Sequence, residues 1–111
     1  MAAKTLSIDD PDARTLAELK KAGSDLSKPH LIEFFLYFPN REPAEEVAEI
    51  LRSEGYVPAV SLGADNVNWL CFATKPLIPS QKTLAAIRDH FETLVNARSG
   101  EYDGWGTAIV K

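Results

Sequence analysis

The chain has 111 residues, 45% of them apolar and 25% charged, enough for one soluble domain with its own core and too few for two. Twelve Lys and Arg against sixteen Asp and Glu leave a net charge of −4, which disfavours non-specific binding to nucleic acid or anionic lipid and favours basic partners. One cysteine, Cys71, rules out an internal disulfide, and the opening MAAKTLSIDDPDAR lacks the apolar core of a signal peptide, so a cytoplasmic protein is expected.

Residues 1–8 read as a flexible leader, and 9–111 as a single domain. Asp10 followed by Pro11 predicts a helix start, with a carboxylate cap and a proline at the first helical position. Ala13, Leu16 and Ala17 form its narrow apolar face, and Gly23 stops it. In HLIEFFLYF, residues 30–38, the even positions Ile32, Phe34, Leu36 and Phe38 are all large and apolar, which predicts a strand with one core face. A helix follows from about Pro43 to Gly55, with Ala44, Val47, Ala48 and Leu51 on its buried stripe and Glu42, Glu45, Glu46 and Glu49 opposite.

YVPAVSL is a second strand, and Pro58 assigns it to a sheet edge because proline donates nothing to a ladder. GADN turns the chain into a third strand, VNWLCFATK, which PLIPS closes. Ser80 then caps a helix whose face is Leu84, Ile87, Phe91, Leu94 and Val95. That helix ends near Ser99–Gly100, and a last strand is expected at about Gly106–Val110. After the leading helix the order is β-α-β-β-α-β, the ferredoxin-like α+β pattern. Right-handed crossovers give an antiparallel sheet with strand order 4-1-3-2.

The residues that carry chemistry are few. His30 and His90 have no second ligand at metal spacing, and Cys71 sits in a buried type of strand, so neither a metal nor a cofactor is expected. Phe35, Tyr37 and Trp69 are candidates for an aromatic open sheet face. The third strand lacks the basic, glycine-containing motif of RNA-recognition domains, so no direct nucleic-acid contact is expected, and the leading helix or a second copy of the chain would cover those rings. The four glutamates are either a solvated helix face or a docking surface for a basic segment. In the GEYDGW block, Glu101, Tyr102, Asp103 and Trp105 admit three readings: an architectural turn bent at Gly104 and Gly106, a partner contact, or an acid–base pair.

AGSDLSKPHLIEFFLYFP at 22–39, WLCFATKPLIP at 69–79 and GEYDGWGTAIV at 100–110 resemble the motifs of the bacterial family called regulator of ribonuclease E activity B. The resemblance covers about residues 9–110. It implies a ferredoxin-like sandwich and a non-catalytic protein that binds the scaffold region of the endoribonuclease and restrains RNA decay. No catalytic residue is carried over. Some members of the family carry a long acidic tail after the last strand, and no contribution from such a tail is expected in a sequence that stops at Lys111. Together with the residue-level reading, this makes Glu42, Glu45, Glu46 and Glu49 candidates for steering a basic partner, and Glu101, Tyr102, Asp103 and Trp105 candidates for anchoring it. The alternatives are a small-molecule-sensing or dimerising regulatory domain that pairs through its open sheet face, and an enzyme using Glu101, Tyr102 and Asp103.

Overall fold

The computed structural model describes residues 10–111; the leader expected over 1–8 lies outside them. The elements are α1 (Pro11–Lys21), β1 (His30–Phe38), α2 (Arg41–Ser53), β2 (Val57–Leu62), β3 (Trp69–Leu77), α3 (Gln81–Asn96) and β4 (Glu101–Gly106). The strands form one antiparallel sheet in the order β2-β3-β1-β4, which is the expected 4-1-3-2 read from the other edge. Pro58 lies on edge strand β2, as its missing N–H requires.

β1 alternates strictly. Ile32, Phe34, Leu36 and Phe38 are buried, whereas Leu31, Glu33, Phe35 and Tyr37 are not. The buried side receives α2, packed on β2 and β3, and α3, packed on β4 and β1. Val47, Leu51, Leu84, Phe91 and Val95 complete the core from the helices. Phe91 meets Phe34 edge-on at 5.1 Å and Tyr102 at 5.5 Å between ring centroids, geometries that aromatic quadrupoles favour. Among the described residues no helix covers the other sheet face. α1 packs against α3 instead of covering that face, contrary to one sequence expectation.

Caps set the helix starts. Asp10 accepts the N–H of Asp12, and the Ser80 hydroxyl accepts that of Thr83. α2 begins two residues before the expected Pro43, after Asn40. A proline in the first turn removes an N–H that has no helical partner anyway, so it does not mark the boundary. The face of α1 also differs from the expected one. Asp12 and Leu19 are buried and Leu16 is half-buried, whereas Ala17 is exposed, so a carboxylate occupies a position on the inward stripe.

Two strand boundaries move. β3 starts at Trp69 because the Asp65 carboxylate accepts the N–H groups of Val67 and Asn68 and holds both in the turn. It continues through Pro76, which pairs with Leu31 of β1 but lies beyond the last β2 partner at Thr74, so no strand on the β2 side needs the missing N–H. β4 is EYDGWG, Glu101–Gly106, not the expected 106–110 segment. Tyr102 pairs with Leu36 and Trp105 with Phe34, so β4 has one residue more than β1 between these pairs. The surplus is a bulge at Asp103–Gly104, and Gly104 takes φ +96°, a conformation that suits glycine. Gly106 has no such φ, so the bend expected there does not exist. The β-prone tail runs on without a strand partner among the described residues. Thr107 Oγ1 donates to the Leu31 carbonyl, Val110 N–H donates to Ser24 Oγ, and the Val110 carbonyl accepts Asp25 N–H.

Candidate functional site

GEYDGW is a strand whose residues point to two sides. Tyr102 and Trp105 share the helix-facing side with Leu36 and Phe34, and both are half-buried against the core. Glu101 and Asp103 are exposed. The Trp105 indole N–H donates to Asp12 Oδ1 at 2.9 Å, and Arg88 reaches the same oxygen at 2.8 Å. Three elements, α1, α3 and β4, therefore converge on one buried carboxylate. Asp12 Oδ2 is also buried and has no hydrogen-bond partner among the described residues. Burial pushes the Tyr102 phenol well above its ordinary range, and the nearby Asp12 charge adds to the effect.

A shallow cleft of about 380 Å³ opens beside this cluster, lined by Asp12, Arg88, Glu92, Tyr102, Asp103 and Trp105, among others. A second of about 470 Å³ lies at the end of the sheet, between the β2–β3 turn and the start of β4, and Asp103 and Glu101 line it too. Asp103 thus stands between two clefts, exposed, and its side chain has no hydrogen bond or ion pair to any described residue. Its surroundings are those of a surface contact rather than of a buried acid–base pair.

The four glutamates of α2 are exposed, and three already have cationic company. Glu45 pairs with Arg41 at 3.1 Å, Glu49 with Arg52, and Glu46 with Arg98 at the end of α3 at 3.2 Å. Glu42 has no ion-pair partner among the described residues. α2 packs mainly on β2 and β3, whereas β4 lies at the opposite edge of the sheet, and Glu46 alone of the four reaches toward it, through Arg98 three residues before Glu101.

The open sheet face is aromatic and carries Phe35 and Tyr37 as expected, but not Trp69. Trp69 pairs with Phe38 on the helix side, where Arg41 sits 5.4 Å from its ring. Phe72 takes its place, with its centroid 5.3 Å from that of Phe35, and exposed Leu31 and Val57 extend the patch. The error is one of parity: odd-numbered Trp69 faces the core with Cys71 and Ala73, whereas in β1 the even positions do.

The histidines are structural or superficial. Buried His30 donates from Nδ1 to the Lys28 carbonyl, so in the neutral ring Nε2 accepts from Ser24 Oγ. His90 is exposed and contacts the Glu54 carboxylate. Among the described residues, no group of three or more His, Cys, Asp or Glu is placed to hold a metal ion, and no helix is long and apolar enough to cross a membrane.

Asp12 and Arg88 are the members of the site that sequence reading missed. A signal for Asp12 existed: it precedes Leu16 by four residues and Leu19 by seven, the spacing of a buried stripe. Matched against protein families, residues 9–107 fit the model of the family described as regulator of ribonuclease activity B. No curated protein matches the chain.

Proposed function

Because the chain belongs to the regulator of ribonuclease activity B family, we propose that it is a non-catalytic binding module that restrains an endoribonuclease of the ribonuclease E type, and with it RNA degradation in the bacterial cytoplasm. In this reading residues 9–111 act as one ferredoxin-like unit, consistent with the strand order and with both crossover helices on one sheet face. The family match over residues 9–107 carries the proposal. Its physical support is Asp103: exposed and unpaired among the described residues, it lies on a strand that Trp105 and Tyr102 anchor to the core.

The partner in this reading is a basic, extended segment of the nuclease. A net charge of −4 draws it in, with Glu42, Glu45, Glu46 and Glu49 contributing to the field. Their pairs with Arg41, Arg52 and Arg98 are exposed, and such pairs contribute only about 0–1 kcal/mol, so an incoming cation displaces them at little cost. Glu101, Tyr102, Asp103 and Trp105 then hold the segment at the β4 edge. The test is capture of purified ribonuclease E on the immobilised chain, with RNA cleavage followed at increasing chain concentration. Capture with slowed cleavage supports the reading; no capture and unchanged cleavage defeat it.

The rival reading is a regulatory domain that dimerises through its open face. Phe35 and Phe72, together with Leu31 at 55% and Val57 at 70% exposure, give it an apolar surface to bury. Sedimentation across a hundredfold concentration range separates the two readings, since only the rival needs a dimer that Phe35→Asp abolishes.

A further inference from the structure

The cleft between the N-terminus of α1, the middle of α3 and β4 has an unusual balance of groups. Three carboxylates line it, Asp12, Glu92 and Asp103, against one guanidinium, Arg88. Arg88 is committed to Asp12 Oδ1, which it shares with the Trp105 indole. Glu92 and Asp103 are exposed and have no ion-pair partner among the described residues. Asp12 is 2% exposed, and its Oδ2 lacks any donor among those residues. A buried carboxylate oxygen without a donor is costly, and a ligand that brings one relieves the cost. Tyr102 and Trp105 supply aromatic surface beside these acids.

We propose that this cleft binds the guanidinium of an arginine presented by a protein partner. The inference rests on the reading of the chain as a protein-docking module and names the chemistry of the docked residue. A guanidinium is planar, stacks on aromatic rings and has five N–H donors in a fixed fork, so it can serve more than one carboxylate while lying against Tyr102 or Trp105. Glu92 and Asp103 hold it from the rim, and Asp12 draws it inward. The site excess of two negative charges selects a cation over a neutral side chain of the same shape. The clamp that forms the cleft is already assembled in the free chain, since Asp12 ties all three elements together before anything binds.

The test follows the Trp105 indole N–H resonance of the full chain by NMR, with Trp69→Phe to assign it. N-acetyl-arginine amide is titrated at millimolar concentration beside the citrulline and lysine analogues. The arginine probe is expected to move the resonance saturably and the citrulline probe to leave it in place, with lysine at least threefold weaker than arginine. Glu92→Gln with Asp103→Asn, both at exposed positions, is expected to weaken the arginine probe about tenfold and leave the rest of the spectrum unchanged. An unmoved indole signal, an equal response to citrulline, or full affinity in the double variant overturns the proposal. Nuclease capture with an inert arginine probe removes the arginine site and leaves the regulator reading standing. A responsive probe without nuclease capture supports the site and defeats that reading.

Discussion

Single residues divide into those that are sealed away and those that titrate in the open. Cys71 is sealed. Burial first, and the Glu45 charge second, push its thiol up to about 11, so at pH 8 only about one molecule in a thousand has a thiolate there. The native chain is expected to react with Ellman's reagent far more slowly than the urea-unfolded chain. Equal rates would show that the strand opens readily around Cys71. Asp65 is the opposite case. The N–H groups of Val67 and then Asn68, followed by the Asn68 side-chain amide, hold its carboxyl below the ordinary range. A carboxyl depressed in the folded state stabilises the fold above its unfolded value of about 3.9, and that contribution fades as pH falls through the lower folded value. Asp65→Asn keeps an acceptor oxygen but does not titrate. The drop in urea midpoint between pH 6 and pH 2.5 is therefore expected to be smaller in the variant, and an identical drop would remove Asp65 from the acid response.

At the scale of elements, the α3–β4 connection decides where the candidate site lies. Ser99 sits at φ +57°, and Gly100 presses against β1 so closely that an added Cβ would lie 2.5 Å from the Tyr37 carbonyl oxygen and 2.7 Å from the Phe38 ring. Gly106, at the other end of β4, leaves the same position open. Gly100→Ala is accordingly expected to lower stability by about 2 kcal/mol or more, through backbone displacement in a packed region, and Gly106→Ala to change it by less than about 1 kcal/mol. Thermal melts of the two variants check the contrast, and similar melting points would mean that the turn yields freely. The element types were legible wherever period and punctuation agreed, as in α3 with its Ser80 cap and in β1 with its even-numbered core. β4 was not, because Asp-Gly and Trp-Gly carry turn chemistry, whereas here Asp-Gly forms a bulge inside a ladder.

For the whole molecule, charge and topology act at long range. If the acid face of α2 steers a basic partner, Glu45→Lys with Glu49→Lys is expected to slow association several-fold at low salt and to flatten its salt dependence, with less effect on dissociation. Stopped-flow association with the nuclease segment at several ionic strengths measures this. An unchanged rate at low salt would leave the α2 glutamates as solvated surface. The same substitutions turn the Arg41–Glu45 and Arg52–Glu49 pairs into like-charge contacts, which at exposed helix positions cost only a few tenths of a kcal/mol each, about the size of the pairs they replace.

From the residue pattern alone came the element order, the strand order with Pro58 at an edge, and most of the core, because hydrophobic period, caps and breakers are properties of neighbours a few positions apart. Tertiary structure alone decided that β4 is the GEYDGW segment, that Phe72 rather than Trp69 faces outward, and that Asp12, Arg88 and Trp105 form one cluster. Asp12 and Trp105 are separated by 93 positions, and no local rule couples them. Their contact exists because α1 packs on α3 and β4 pairs with β1, which brings an inward-facing carboxylate and an indole N–H to the same buried point.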